Sequence, residues 1–244
     1  MRSDLSFVNV HETKSLRSKI VTQLLYGDTF QKIKENKFWL KIKCDLDNYT
    51  GYILKKKFFP NQKNTHKIFN LCAELYSKPN IKNKIKKKLT FGSRIKVIAE
   101  KNNFFKFDYM WIKKNDLKVI KYKTKNIFKN INKFLDVKYK WGGKYYNGID
   151  CSGLVQLFIN FNNGFCPRDT KDQIRYFKKK VELKDIKKND LIFWKGHVAI
   201  VISKNKLIHA YGPLRKTVIM STKQTIEKIY KTANLKVTGI RRVI

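Results

Sequence analysis

The sequence contains only four cysteines and four histidines, and three of these eight residues stand in a pattern that suits acyl transfer. Cys151 lies in Asp150-Cys151-Ser152-Gly153-Leu154, after a glycine-rich turn, Trp141-Gly142-Gly143. Leu154, Leu157, Phe158 and Phe161 follow at a spacing that predicts one face of a helix. A thiol in the first turn of a helix meets unpaired N–H groups and the positive end of the dipole, both of which stabilise a thiolate. Taken alone, a cysteine so placed reads equally well as a buried structural residue. His197 and His209 change that balance. They lie in successive predicted strands, Gly196-His197-Val198-Ala199-Ile200 and Leu207-Ile208-His209-Ala210. A nucleophilic thiol needs a base to take its proton, and the base needs a third group to fix its tautomer and orientation. Each histidine singly would read as an ordinary strand residue; together with Cys151 they fill all three roles.

The elements that must position these side chains follow from the apolar pattern. Ile127, Phe128, Ile131, Phe134 and Leu135 recur at helical spacing, which predicts an amphipathic helix over 125–135. Strands are predicted at 190–194, 197–203, 206–211, 217–220 and 237–243. Helices first and a meander of strands afterwards make an α+β domain. A hairpin that sets His197 opposite His209 centres its turn on Ser203 and needs an odd loop of three or five residues. A two-residue Lys204-Asn205 turn would send the imidazoles to opposite faces.

Upstream, the first 120 residues hold a degenerate repeat. Leu24-Leu25-Tyr26-Gly27-Asp28 matches Leu89-Thr90-Phe91-Gly92-Ser93, and Trp39-Leu40-Lys41-Ile42 matches Phe104-Phe105-Lys106-Phe107 at the same offset. Each copy alternates in short strands broken by Gly and Asn turns, the size of a small barrel. The chain therefore divides into 1–60, 61–122 and 123–244, and it is long enough to bury a sizeable core.

The net charge of +37 first suggests nucleic acid, but its composition argues otherwise. Of 55 basic residues 47 are Lys and 8 are Arg, whereas base and phosphate recognition favours the planar Arg fork. Lys, Asn, Ile, Phe and Tyr fill half the chain, as A/T-rich codons would produce. The charge is spread, +6 over 1–60, +13 over 61–124 and +18 beyond. The densest run, 79–88, reads as a solvated loop. No specific nucleic-acid partner is therefore expected. The first residues lack the apolar core of a secretory signal, and no run approaches a membrane span, so a cytoplasmic location is expected, with non-Sec export left open. Cys44, Cys72, Cys151 and Cys166 form no C-x-x-C pair and read as free thiols.

Six ordered blocks carry a family resemblance: Tyr139-Lys140-Trp141-Gly142-Gly143, Asp150-Cys151-Ser152-Gly153-Leu154-Val155, Pro167-Arg168-Asp169-Thr170-Lys171-Asp172-Gln173, Asp190-Leu191-Ile192-Phe193-Trp194, Gly196-His197-Val198 and Leu207-Ile208-His209-Ala210. Together they resemble an NlpC/P60 cysteine peptidase domain. The Leu-x-x-Gly-Asp/Ser turn followed by Trp-x-Lys-Ile resembles bacterial SH3-like (SH3b) domains, more closely over 5–58 than over 66–120. The resemblance implies a papain-like fold behind two small SH3-like barrels. It also implies hydrolysis of murein stem peptides, typically between γ-D-glutamyl and a diamino acid, with no metal or cofactor.

By motif, the resemblance makes Cys151 the nucleophile, His197 the base and then acid, and His209 the residue that orients His197. Tyr139 stands near the oxyanion or substrate. Asp150 and Ser152 help bind the free L-alanine amine, although Asp150 also reads as a helix N-cap. Trp141 matches a pocket wall or, on general grounds, a core aromatic. Thr170 matches a substrate contact, while Thr170-x-x-Gln173 is also a capping-box pattern. Tyr49, in Asp47-Asn48-Tyr49-Thr50-Gly51-Tyr52, matches an aromatic that reaches the groove. One position departs: relatives often carry Ser-Glu before a Val-x-Gln strand, and this chain has Ser18-Lys19-Ile20-Val21-Thr22-Gln23. If that acid holds the substrate amine, Lys19 opposes it. Two other readings fit the same residues. One is a papain-like amidase or acyltransferase acting outside murein; the other is a binding protein for an anionic polymer. Oligomeric state is not legible.

Overall fold

The structure, a computed structural model, describes residues 1–243. The first unit contains β1 (Phe7–His11), β2 (Ile20–Leu25), β3 (Phe30–Glu35), β4 (Trp39–Cys44) and β5 (Thr50–Leu54), in the order β2-β1-β5-β4-β3. Alternation along β4 sends Leu40, Ile42 and Cys44 inward to meet Val10, Leu24, Phe30 and Ile53.

The second unit contains β6 (His66–Ile68), β7 (Cys72–Tyr76), β8 (Lys84–Thr90), β9 (Arg94–Ile95), β10 (Ala99–Lys101), β11 (Phe104–Phe107), β12 (Met110–Lys113) and β13 (Leu117–Val119). Its main sheet runs β10-β11-β12-β7-β8, which is the first unit's order when β7, β8, β10, β11 and β12 stand for β1 to β5. The repeat in the sequence is thus a repeated topology. The basic run at 79–88 corrects the sequence reading, because its second half is β8 rather than a loop. Ile85 packs toward the core between lysines, and Lys84 and Lys88 flank Glu74 at 3.1 and 2.9 Å.

In the third unit, β14 (Lys144–Tyr145) and β15 (Gly148–Ile149) form a short hairpin ahead of α1 (Cys151–Phe161) and α2 (Thr170–Tyr176). A six-stranded antiparallel sheet follows, built from β16 (Lys180–Val181), β17 (Leu191–Trp194), β18 (His197–Ser203), β19 (Lys206–Tyr211), β20 (Lys216–Ser221) and β21 (Gly239–Arg241), with α3 (Thr222–Ala233) before β21. Its order is β16-β21-β17-β18-β19-β20. Leu154 and Phe158 of α1 pack with Val198, Ile200, Ile208 and Ala210, while Ile229 of α3 packs with Ala199, Val201 and Leu207. The two helices therefore cover alternate residues of the central strands.

The helix predicted over 125–135 does not form. Asn130 is left-handed at φ +67° and interrupts it, and only Ile131–Phe134 makes a single 3-10 turn. Phe128, Ile131 and Phe134 are buried at a spacing of three, the period of successive tight turns.

Contacts bind the first two units to the third. Gln23 Oε1 accepts from Lys144 N at 2.7 Å, and Phe91 stacks on Phe158 and Phe161. Lys67 is buried at the C-terminal end of α1, donating to the carbonyls of Tyr122 and Phe161 and to Asn163.

Candidate active site

Cys151 opens α1, and its neighbour Asp150 is the N-cap, accepting from Gly153 N at 2.7 Å. The other carboxylate oxygen accepts from Gly142 N at 2.8 Å, so the glycine-rich turn is tied to the helix start. Gly142 has φ +73°, and a Cβ there would lie 2.2 Å from the carbonyl oxygen of Ile20. Only glycine lets β2 of the first unit press this closely on the loop before the thiol.

Behind the cap lies Arg168, 2 % exposed, with Nη1 and Nη2 on the two Asp150 oxygens at 3.0 and 2.6 Å. Its Nη1 also donates to Ser152 Oγ at 2.8 Å, and its Nε to Thr22 Oγ1 at 3.0 Å. Arg168 stands in the Pro167–Gln173 motif, which by itself gives it no role. Its signal was there, because Arg is scarce in this Lys-rich chain and is the residue suited to a buried fork.

The Cys151 thiol is pushed up to about 12, chiefly by burial and then by Asp150, while N–H donation from Val198 and Ser152 pulls the other way. The resting group is therefore a neutral thiol. The thiolate expected from the helix position is overridden by desolvation. Val198 directly follows His197, so the sulfur lies against the start of β18.

His197 Nε2 and His209 Nδ1 are 2.8 Å apart. Burial lowers His197 to about 4 and His209 to about 3, so both rings are neutral near pH 7. His209 stacks on Tyr211 at 4.6 Å and 12°, and its Nε2 lies 3.3 Å from Met220 Sδ. The hairpin is built differently from the odd loop expected. Ser203 pairs with Lys206 across a two-residue turn, and a bulge between Val201 and Ser203 absorbs one residue, so Val201 pairs with Leu207 and Ile200 with Ile208. The bulge restores the parity that a two-residue turn alone would break, and the imidazoles meet as diagonal neighbours.

A groove of about 520 Å³ runs past Cys151 and is lined from both the first and the third unit. Tyr49, Tyr139, Trp141, Asp150, Ser152 and Thr170 all line it. Trp141 is 60 % exposed and so is a wall, not core. Tyr49 Oη bonds Asp169 at 3.1 Å. Thr170 makes no capping box, since the N-cap position is Asp169 and Gln173 Nε2 turns inward to the carbonyls of Ser152 and Pro167. Asp150 caps the helix and, with Ser152, bonds Arg168, while both also line the groove. Lys19 lines the groove too, but so does Glu12, whose N–H bonds the Lys19 carbonyl at 2.9 Å across the β1–β2 hairpin. Glu12 was missed because the acid was sought at Lys19's own position.

Residues 136–237 match the NlpC/P60 family, and residues 6–57 match the bacterial SH3 domain. Among curated proteins, the dipeptidyl-peptidase 6 of Lysinibacillus sphaericus is 24 % identical over 228 residues, 83 % of this chain and 84 % of that one. The murein DD-endopeptidase MepS/murein LD-carboxypeptidase of Escherichia coli K12 is 35 % identical over 80 residues, which are 30 % of this chain and 42 % of that protein. This chain thus matches less than half of the second relative's length. A crystal structure of an NlpC/P60 family protein from Bacillus cereus superposes with a TM-score of 0.83 at 21 % identity, covering 99 % of this chain and 98 % of that one. That likeness is one of fold.

Proposed function

Because the chain carries an NlpC/P60 domain, of a family of peptidoglycan hydrolases acting on peptide bonds, together with a bacterial SH3 domain, we propose that it is a cysteine peptidase of murein stem peptides in which Cys151, His197 and His209 form the catalytic triad. The second unit, with the same strand order as the first, is read as a second SH3b domain. The observation that carries the reading is a helix-start thiol that lines the groove and takes the N–H of Val198, next in chain to His197, whose imidazole is hydrogen-bonded to that of His209.

At rest the thiol holds its proton and His197 is unprotonated, so the thiolate forms only as the bond to carbon forms. Cys151 Sγ attacks the carbonyl carbon of the γ-D-glutamyl bond while its proton passes to His197. The Cys151 backbone N–H, which has no hydrogen-bond partner among the described residues, suits donation to the developing oxyanion. Collapse expels the diamino acid amine with the proton from His197, and water then releases the acyl group. Lys19, Lys171 and Lys195 in the groove lining suit the carboxylates of a stem peptide. The free L-Ala ammonium is assigned to Glu12 rather than to Asp150, whose charge Arg168 already answers.

Defined muropeptides, with and without a free L-Ala amine, test substrate class and amine recognition together by product mass. Cleavage between γ-D-Glu and the diamino acid is expected, lost in Cys151→Ala with the fold retained by circular dichroism. Full activity of that variant, or cleavage of non-murein amides alone, would overturn the reading.

A further inference from the structure

His209 is 1 % exposed and its ring is enclosed, with Tyr211 against one face and His197 Nε2 on Nδ1. The partner of its other nitrogen is the thioether of Met220, on β20, at 3.3 Å. We propose that Met220 is a positioning residue that sets the tautomers of both imidazoles: Sδ accepts the His209 Nε2–H, which leaves Nδ1 bare to accept the His197 Nε2–H, which leaves Nδ1 as the unprotonated nitrogen of His197.

The argument is one of proton count. A thioether has lone pairs and no hydrogen, so it can accept and cannot donate. A bare His209 Nε2 would point its own lone pair at that sulfur in a dry site, so the protonated form is preferred. Since both rings are neutral, each carries one N–H, and one hydrogen bond joins them. The two tautomers therefore switch together. In the reversed state His209 donates from Nδ1, His197 holds its proton on Nδ1, and no bare nitrogen remains to act as base. The groups facing the pair are Tyr211 from β19 and Trp194 from β17, while Val198, next to His197, donates its N–H to the Cys151 thiol. Of these, Trp194 offers only its N–H or a ring face and Tyr211 meets His209 with its ring face, whereas the sulfur of Met220 is directed at the His209 nitrogen itself.

The inference rests on the triad reading for its effect on catalysis, but the tautomers are observable without turnover. With four histidines in the chain, long-range ¹⁵N–¹H spectra of histidine-labelled protein resolve each ring. In the native protein both His197 and His209 are expected as single Nε2–H tautomers. Met220→Leu keeps the volume and removes the acceptor, so both rings become mixtures. The competent fraction then falls toward half, giving up to about a twofold loss in kcat with KM held. Met220→Gln offers a carbonyl acceptor and restores the single tautomers. Unchanged tautomers and an unchanged pH–rate profile in Met220→Leu would overturn the proposal. If instead the triad reading fails, His197→Ala keeps its turnover while the spectra still report the Met220 effect, so the two failures are distinct.

Discussion

Replacing Arg168 by Met isolates what the buried fork behind Cys151 contributes. The guanidinium is 2 % exposed and Asp150 is 5 % exposed, and two parallel bonds of 3.0 and 2.6 Å join them. Without the guanidinium, Asp150 keeps its bonds from Gly142 N and Gly153 N, but its charge stays buried and unanswered. Ser152 Oγ and Thr22 Oγ1 lose a donor in the same step. Stranding one member of a buried pair costs about 3–5 kcal/mol. At about 2–4 °C per kcal/mol for a chain of this length, the melting temperature falls by roughly 6–20 °C. Asp150→Asn together with Arg168→Met removes both charges and should recover much of that loss, while Arg168→Lys keeps the charge without the fork and falls between. Arg168 also draws the Cys151 thiol down, so its removal should slow alkylation by iodoacetamide. Urea unfolding and thermal scans of the wild type and the three variants, with Asp150→Asn alone closing the cycle, measure the coupling. A loss in Arg168→Met of no more than about 0.5 kcal/mol, as at an ordinary surface site, would refute the reasoning.

Further tests concern the joints between units. Gly142→Ala puts a Cβ against the Ile20 carbonyl and strains a left-handed backbone, at about 1–2 kcal/mol for the strain alone. Since β2 and its hairpin supply one wall of the groove, KM for stem peptides should rise more than kcat falls; an unchanged KM would count against the contact. Lys67 is drawn down to about 8, first by burial and then by Arg94, from an ordinary value near 10.5. Below pH 8 both folded and unfolded chains hold this proton; between about 8 and 10.5 the unfolded chain binds more of it, so stability rises with pH on this group's account. Lys67→Met should flatten that rise in urea midpoints, and an identical slope would exclude it.

What was legible in the sequence follows from which interactions are local. Helix α1 shows in the spacing of Leu154, Leu157, Phe158 and Phe161, and the central strands show in alternation, because each pattern is written within one element. The segment 125–135 misled because spacings of three and four are alike over three residues, and the outcome turned on the left-handed Asn130. The start of α2 shows in Thr170-x-x-Gln173, one residue past the actual cap at Asp169, whereas α3 is not announced: it buries Thr222, Thr225 and Ile229, two of which are polar, so no apolar stripe marks it. At the site, the identities of Cys151, His197 and His209 were readable, but their joining depends on a bulge at Val201–Ser203 that no turn residue signals. Glu12 and Met220 enter only through pairing with residues on adjacent strands, and such partners are fixed by register rather than by motif.

The groove has Cys151 in one unit and part of its wall in another, held by Gln23 on Lys144, Thr22 on Arg168 and the backbone press at Gly142. Joints of this kind open before the cores they connect unfold. Discrimination and turnover should then fail in sequence as the protein is warmed. A sample held just below its transition would accept amine-blocked or foreign peptides while still cleaving them, and would fall silent only when the six-stranded sheet gives way. Fidelity, in this architecture, is the more heat-labile of the two properties.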